Sequence, residues 1–214
     1  MRGHFWGVLN VAFLVLIAAL LARPEGPIGS RISEWRARRD QARLIKVEWP
    51  KVVDGGSAYS GDPTLPAEVV VFTDYECPYC RKLHSTLELI RARRPEVRIR
   101  YRHFPLSTHK NAAAAARASV CAAKVGAFHE VHGFLFESES WRTTSGLEDI
   151  AGPAGIVDVK GFANCMSDPS SEAVVRADLA TGERLGINGT PAIVTRDRLV
   201  IGALDESDFL ALLE

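Results

Sequence analysis

Two cysteines separated by two residues are the feature of this sequence with the clearest chemistry. Cys77 and Cys80 enclose Pro78 and Tyr79 in a Cys-Pro-Tyr-Cys motif, and two thiols at this spacing can close into a small disulfide. At the start of a helix, the helix dipole and unpaired backbone N–H groups stabilise a thiolate and lower its pKa. We therefore interpret Cys77 as the outer, nucleophilic thiol and Cys80 as the resolving thiol of a redox pair.

The motif predicts thiol–disulfide exchange. Cys77 would form a mixed disulfide with a cysteine of a client protein, and Cys80 would attack that bond to release the client. Pro78 suits the first turn of a helix, because its missing N–H would be unpaired there in any case. We expect Pro78 and Tyr79 to support the two cysteines of the motif. A purely structural disulfide would close too small a loop to add much stability. The predicted chemistry involves no cofactor.

The same two thiols could instead belong to a metal site. A structural zinc site usually needs a second close pair of Cys or His ligands, yet Cys121 and Cys165 lie 44 positions apart in different predicted helices. His129 and His132 are more simply interpreted as helix surface and core. A copper-delivery protein is a further alternative, although soft-metal carriers tend to use more methionines than the two present here. We expect no metal site.

The segments around the motif predict an α/β fold. Residues 69–72 form a short continuous apolar run, typical of a strand buried on both faces. Residues 81–94 carry apolar side chains at helical spacing, and residues 97–103 alternate apolar and basic side chains, so the three elements predict a βαβ unit with parallel strands. Helix signals dominate residues 109–184, and residues 190–202 then predict a β-hairpin.

The amino-terminal part of the chain predicts a membrane anchor or a signal segment at residues 1–22. Residues 5–22 contain no charged side chain, and this length is near the lower limit for crossing a bilayer. Leu20 stands where a cleavage site prefers a small residue, which favours an uncleaved anchor. Several arginines from Arg23 onward weaken an orientation that exports the rest of the chain.

A stalk and linker are predicted at residues 23–65, ahead of the domain at residues 66–214. Ser33 can cap a short arginine-rich helix that ends at about Leu44. Residues 54–66 are so rich in turn formers that we expect no regular structure there.

Composition limits the class of protein. Apolar residues make up 47% of the 214 residues, enough for one globular core, and 26 basic residues balance 26 acidic ones. A formal net charge of zero gives no argument for nucleic acid as a partner.

His84, His103 and His109 have no evident partner in the sequence, so we expect them on the surface or in loops.

Three parts of the sequence together resemble the DsbA-like branch of the thioredoxin superfamily. They are residues 69–80, which end in the Cys-Pro-Tyr-Cys motif, the helical middle with residues 128–136, and residues 185–191, which end in Gly-Thr-Pro. The resemblance implies a thioredoxin fold with an inserted α-helical domain at about residues 107–185. It also implies that Pro191 is cis and faces the redox pair, and that Thr190 binds a substrate peptide through its backbone groups.

The resemblance also bears on the other two cysteines and on redox strength. It implies a structural disulfide between Cys121 and Cys165 that clamps the helical insertion, the alternative being two free buried thiols. Asp74 and Glu76 depart from the expected pattern, because carboxylates next to Cys77 oppose thiolate formation. This predicts a pair that is less oxidising than the strongest oxidants of the family.

Together these features predict an oxidoreductase that forms disulfides in exported proteins and is recharged by a membrane redox partner. A reductase or an isomerase on the same fold is the main alternative, because direction depends on the potential of the compartment and on the partner. We expect a monomer, since only a short stalk precedes the fold. The predicted location is the periplasmic or cell-envelope side, anchored through residues 5–22, or soluble and exported if the leader is cleaved.

Overall fold

The computed structural model describes residues 26–56, 58–60, 68–142 and 150–214, together with Phe13, Leu14, Ile17, Leu20 and Arg23. The chain forms two units, Met1–Arg43 and Leu44–Glu214. Apart from four positions, the predicted anchor at residues 1–22 lies outside the described residues and stays a prediction. Within the part of the chain that the structure describes, no helix is both long enough and apolar enough to cross a membrane.

A five-stranded sheet with the order β1-β3-β2-β4-β5 forms the centre of the second unit. Its strands are β1 (Ala58–Ser60), β2 (Val69–Thr73), β3 (Ile99–His103), β4 (Ala192–Val194) and β5 (Leu199–Ile201). β2 pairs in parallel with β3, which confirms the predicted parallel pair, and the other three pairings are antiparallel. All five residues of β2 are buried, as the continuous apolar run predicts.

Helix α2 (Pro78–Arg93) connects the two parallel strands and covers one face of the sheet. Its buried residues recur at helical spacing, with Leu83, Leu87 and Ile90 packed against side chains of β2. The short carboxyl-terminal helix α7 (Glu206–Ala211) adds Phe209 to the same cluster. The amino-terminal end of α2, which carries the cysteines, is thereby held against the sheet.

The helix before the sheet belongs partly to the core, which corrects the predicted stalk and linker at residues 23–65. Helix α1 runs over Pro27–Asp54, ten residues beyond its expected end at about Leu44. Ile45, Trp49 and Val52 follow at spacings of four and three residues and are buried in the cluster on the second face of the sheet. The compact unit therefore begins at Leu44 instead of residue 66.

The region expected to lack regular structure also contributes to the sheet. Residues 58–60 form β1 and pair with β3 as an edge strand. Turn-forming residues on both sides of so short a strand hid it from sequence analysis, because three residues show no clear alternation.

The predicted helical insertion at about residues 107–185 is present as four α-helices within its described part. They are α3 (Ala112–Lys124), α4 (Phe128–Glu137), α5 (Val159–Ser167) and α6 (Pro169–Arg184). Cys121 of α3 and Cys165 of α5 form a disulfide with 5.5 Å between their Cα atoms. A cross-link over 44 positions removes considerable freedom from the unfolded chain, so it stabilises the packing of these two helices.

A buried ion pair joins the insertion to the sheet. Arg102 of β3 donates to Asp178 of α6 over 2.6 Å, and the two side chains are only 4% and 2% exposed. Arg102 also donates to the carbonyl groups of Lys51 and Val52 at the end of α1, and Asp178 accepts from the His103 backbone N–H. One pair of side chains thus connects α1, β3 and α6.

Candidate active site

The two cysteines of the motif lie at the beginning of α2, directly after the loop that follows β2. Cys77 is the N-cap residue and Pro78 occupies the first turn. The helix begins at this point because proline is favoured in the first turn of a helix. Cys77 and Cys80 are both free thiols and both are buried. Pro78 and Tyr79, by contrast, are exposed, and Tyr79 is 65% exposed and open to a partner.

The Gly-Thr-Pro segment lies next to Cys77, although 113 positions separate the two in the sequence. The Thr190–Pro191 peptide bond is cis, and the Cys77 thiol donates to the Thr190 carbonyl oxygen over 3.3 Å. The antiparallel pairing of β2 and β4 explains this approach, because Pro191 enters β4 where β2 leads into the motif. The structure therefore brings Cys77, Cys80, Thr190 and Pro191 together.

The surroundings of Cys77 favour its thiolate form. A hydrogen bond from the Cys80 thiol makes the largest contribution and, with backbone N–H groups of Tyr79 and Cys80, lowers the pKa of Cys77 to about 5 against the opposing effect of burial. These N–H groups belong to the first turn of α2, where a helix has no internal acceptors for them. Cys77 therefore has the properties of a nucleophile and of a good leaving group.

Cys80 has the opposite character. Burial raises the pKa of Cys80 far above its usual range, and the hydrogen bond to Cys77 raises it further. The Asp74 backbone N–H donates to the Cys80 sulfur over 3.4 Å. The pair therefore divides into a reactive outer thiol and a protonated inner thiol, as the sequence predicts for exchange chemistry.

The two carboxylates before Cys77 hold the loop in place. Asp74 is buried and accepts from the backbone N–H groups of Glu76 and Leu106, and its Oδ2 lies 2.8 Å from His109 Nδ1. Glu76 accepts from the backbone and the side-chain amide of Asn111, over 2.7 and 3.2 Å. The pKa of Cys77 is low although both carboxylates are nearby, because hydrogen bonds from Cys80 and from backbone N–H groups lower it.

Of the three histidines expected on the surface or in loops, His109 lies in a loop as predicted, whereas the other two lie in α2 and β3. His84 and His103 are buried, and His109 is half-buried beside Asp74. Burial lowers the pKa of His103 to about 3, so this ring is neutral at physiological pH. A single histidine in α2 and another at the end of β3 carry no periodic signal that would mark them as buried.

An aromatic and histidine cluster fills the space behind the motif. The Tyr75 hydroxyl lies 2.7 Å from Ser119 Oγ and 2.8 Å from His132 Nδ1. The His132 ring stands edge-on to Phe136 and to His84, with centroids 5.0 and 5.2 Å apart. Helix α4 is thereby tied to the loop that precedes Cys77.

In the residues that the structure covers, no group of three or more His, Cys, Asp or Glu side chains is arranged to hold a metal ion.

We expect the alkylation of Cys77 by iodoacetamide to follow a titration with a midpoint near pH 5. Below that pH Cys77 binds a proton and reacts slowly, and above about pH 6 the rate reaches a plateau, because the thiolate is the reacting form. A Cys80→Ser variant serves as the comparison, since it replaces the thiol that donates to Cys77 by a hydroxyl. A midpoint near the ordinary thiol value of about 8.5 in the unmodified protein would contradict this assignment.

Comparison with known proteins agrees with this geometry. The thioredoxin family model matches residues 54–214. The catalytic domain of Proteus mirabilis ScsC superposes with a TM-score of 0.67 and 25% identity, covering 80% of this chain and 95% of that one. A thioredoxin-like oxidoreductase from Silicibacter pomeroyi DSS-3 superposes with a TM-score of 0.61 and 28% identity, covering 75% of this chain and 92% of that one.

A longer protein also matches this chain. The Na(+)/H(+) antiporter NhaA 1 of Mycobacterium sp. (strain KMS) is 29% identical over 205 residues, which cover 94% of this chain and 33% of that protein. The chain spans about a third of the length of the curated relatives it matches.

Proposed function

We propose that this chain, a thiol–disulfide oxidoreductase of the thioredoxin family, forms disulfides in exported proteins through Cys77 and Cys80 by DsbA-like chemistry. The observation that carries this proposal is the contrast between the two thiols. The pKa of Cys77 is lowered to about 5 while that of Cys80 is raised. A stable Cys77 thiolate is a good leaving group, which favours giving a disulfide away.

The reaction begins with the oxidised pair. A client thiolate attacks the Cys77 sulfur, the Cys77–Cys80 bond breaks, and Cys80 takes up a proton as it becomes a buried thiol. A second client thiol then attacks the client sulfur of the mixed disulfide and releases Cys77 as a thiolate. The client has lost two electrons and the pair has gained them.

The Thr190 backbone is proposed to hold the client peptide during this attack. The Thr190 carbonyl oxygen lies 3.3 Å from the Cys77 sulfur, and Pro191 contributes no backbone N–H that could compete for a partner. A client strand lying beside Thr190 would place its cysteine at the Cys77 sulfur. Tyr79 is exposed on the same motif and offers an aromatic surface for the client.

The Cys121–Cys165 disulfide supports an extracytoplasmic location, since structural disulfides persist in oxidising compartments. We include in the proposal the membrane anchor at residues 5–22, a membrane redox partner that reoxidises the pair, and a monomeric state.

Ion transport, named for the longer relatives, is not part of the proposal, because the residues described around Cys77 support dithiol chemistry.

The reduction potential of the Cys77–Cys80 pair tests this proposal. After equilibration with glutathione mixtures, we expect a value closer to about −120 mV, the range of a strong disulfide donor, than to the about −270 mV of a reductant. The physical reason is that stabilising the Cys77 thiolate stabilises the reduced pair and makes the disulfide more oxidising. A value near about −270 mV would instead support the reductase or isomerase alternative. A pair that does not titrate would support metal binding by the two thiols.

A further inference from the structure

Exchange at Cys77 requires a proton to enter and leave the buried Cys80 thiol. When the reduced pair is reoxidised, Cys80 attacks the Cys77 sulfur of a mixed disulfide, and a thiol attacks only after losing its proton. Cys80 is 2% exposed, and burial raises its pKa far above its usual range. Since bulk water has little access to this sulfur, a protein group must accept the proton.

His84 is the titratable side chain best placed to do so. It follows Cys80 by four residues in α2, so the two side chains are neighbours on the same face of the helix. Cys80, His84 and His132 line one small internal gap, which is otherwise walled mainly by apolar side chains. Within the described part of the chain, neither ring nitrogen of His84 has a hydrogen-bond partner, so the ring is available to a proton.

His84 also has a connection to the surface. Its Nε2 atom lies 3.6 Å from Glu137 Oε1, and the Glu137 side chain is 75% exposed whereas that of His84 is 5% exposed. The ring of His84 stacks on Phe136, which holds it in this orientation. His132 is 2% exposed, and its Nδ1 atom lies 2.8 Å from the buried Tyr75 hydroxyl.

We propose that His84 accepts the proton of the Cys80 thiol when Cys80 attacks, and passes it to solvent by way of Glu137. The Cys80 S–H bond breaks, the Cys80–Cys77 bond forms, and the bond from Cys77 to the partner sulfur breaks, so that the partner leaves as a thiolate with the electron pair. In the opposite direction, protonated His84 returns the proton to Cys80. This inference rests on the proposed exchange reaction and assigns its proton path.

The surroundings of His84 suit this task. Burial lowers the pKa of His84, so the ring is neutral in the resting protein and holds an accepted proton only transiently before passing it on. Several titratable or charged groups face it, from α2, α4 and β3. They are Cys80, Glu88, Arg91, His132, Glu137 and Tyr101.

The test measures two steps separately: formation of a mixed disulfide at Cys77, and its closure, in which Cys80 attacks to form the Cys77–Cys80 disulfide. The reduced protein is mixed with excess glutathione disulfide and quenched with acid, and mass spectrometry follows glutathionylated Cys77 and the closed disulfide. In His84→Phe, which keeps a ring to stack on Phe136, we expect glutathionylation within about twofold of the unmodified rate. Closure at pH 7 should be at least tenfold slower, because positioned acid–base groups contribute about 10²- to 10⁴-fold.

The pH profile distinguishes proton transfer from a structural effect. In His84→Phe, closure should accelerate about tenfold per pH unit as hydroxide replaces the lost acceptor, so the deficit shrinks with rising pH. A deficit of the same size at every pH, or no deficit, would overturn the proposal. Formation of neither glutathionylated Cys77 nor the closed disulfide in the unmodified protein would instead contradict the proposed function itself.

A second variant keeps the test independent of changes in the core. Glu137→Gln alters an exposed side chain, and Glu130→Gln is its matched control on the exposed face of the same helix. We expect closure to slow in Glu137→Gln and to keep its rate in Glu130→Gln. Equal closure rates in the two variants would remove Glu137 from the proton path.

Discussion

Replacement of Cys77 by serine is expected to abolish thiol–disulfide exchange, whereas replacement of Cys80 by serine should trap mixed disulfides with client proteins. Cys77 is the sulfur beside the Thr190 carbonyl and has the lowered pKa, so without it no mixed disulfide can form. Without Cys80, a mixed disulfide on Cys77 has no internal thiol to resolve it. Activity is measured as oxidation of a reduced client peptide, and trapped species by non-reducing electrophoresis.

A matched control removes the other two cysteines. The Cys121→Ser and Cys165→Ser double variant loses the disulfide between α3 and α5, at some distance in sequence from the motif. Assayed at a temperature where it remains folded, it should keep exchange activity. Full activity in Cys77→Ser would sink the mechanism proposed for the motif.

Replacement of Asp178 by alanine is expected to cost about 3–5 kcal/mol in the free energy of unfolding. The variant leaves the Arg102 guanidinium buried without its carboxylate, and the His103 N–H loses its acceptor. Burial raises the pKa of Asp178 even with Arg102 beside it, so desolvation opposes the ion pair. The effect is therefore due mainly to the uncompensated charge left behind. Urea unfolding monitored by circular dichroism measures it.

The matched control for Asp178 is an exposed ion pair on the same helix. Glu172 pairs with Arg176 at the surface of α6, and Glu172→Ala should change stability by less than about 1 kcal/mol, as is usual for exposed pairs. A loss of less than about 1 kcal/mol in Asp178→Ala as well would mean that Arg102 finds another partner. The connection of α1, β3 and α6 through this pair would then be unimportant.

Local patterns predicted the elements that carry the chemistry. The βαβ unit was predictable because a continuous apolar run, a helix-start motif and an alternating segment each leave a signal within a few residues. The helical middle was predictable for the same reason. The expected parallel pair of β2 and β3 is present, and the position of Cys77 at the start of α2 agrees with the preference of Pro78 for a first turn.

Burial of isolated polar side chains was not predictable in this way. His84 lies in an ordinary amphipathic helix, and Arg102 is one of three alternating arginines in residues 97–103. The sequence does not indicate which group from a distant element covers either side chain. The sequence places Asp74 near Cys77 but does not show that His109 and two backbone N–H groups bind this carboxylate.

The sequence by itself predicted a redox pair at Cys77 and Cys80, since two thiols at this spacing before a helix favour disulfide exchange. It also determined the α/β class, which follows from periodicity within single segments. Only the tertiary structure decided that α1 completes the core from Leu44 onward, and that Cys80 and His84 share a gap with His132. The reason is physical: burial and proton access depend on contacts between segments far apart in the chain, and local spacing carries no information about them.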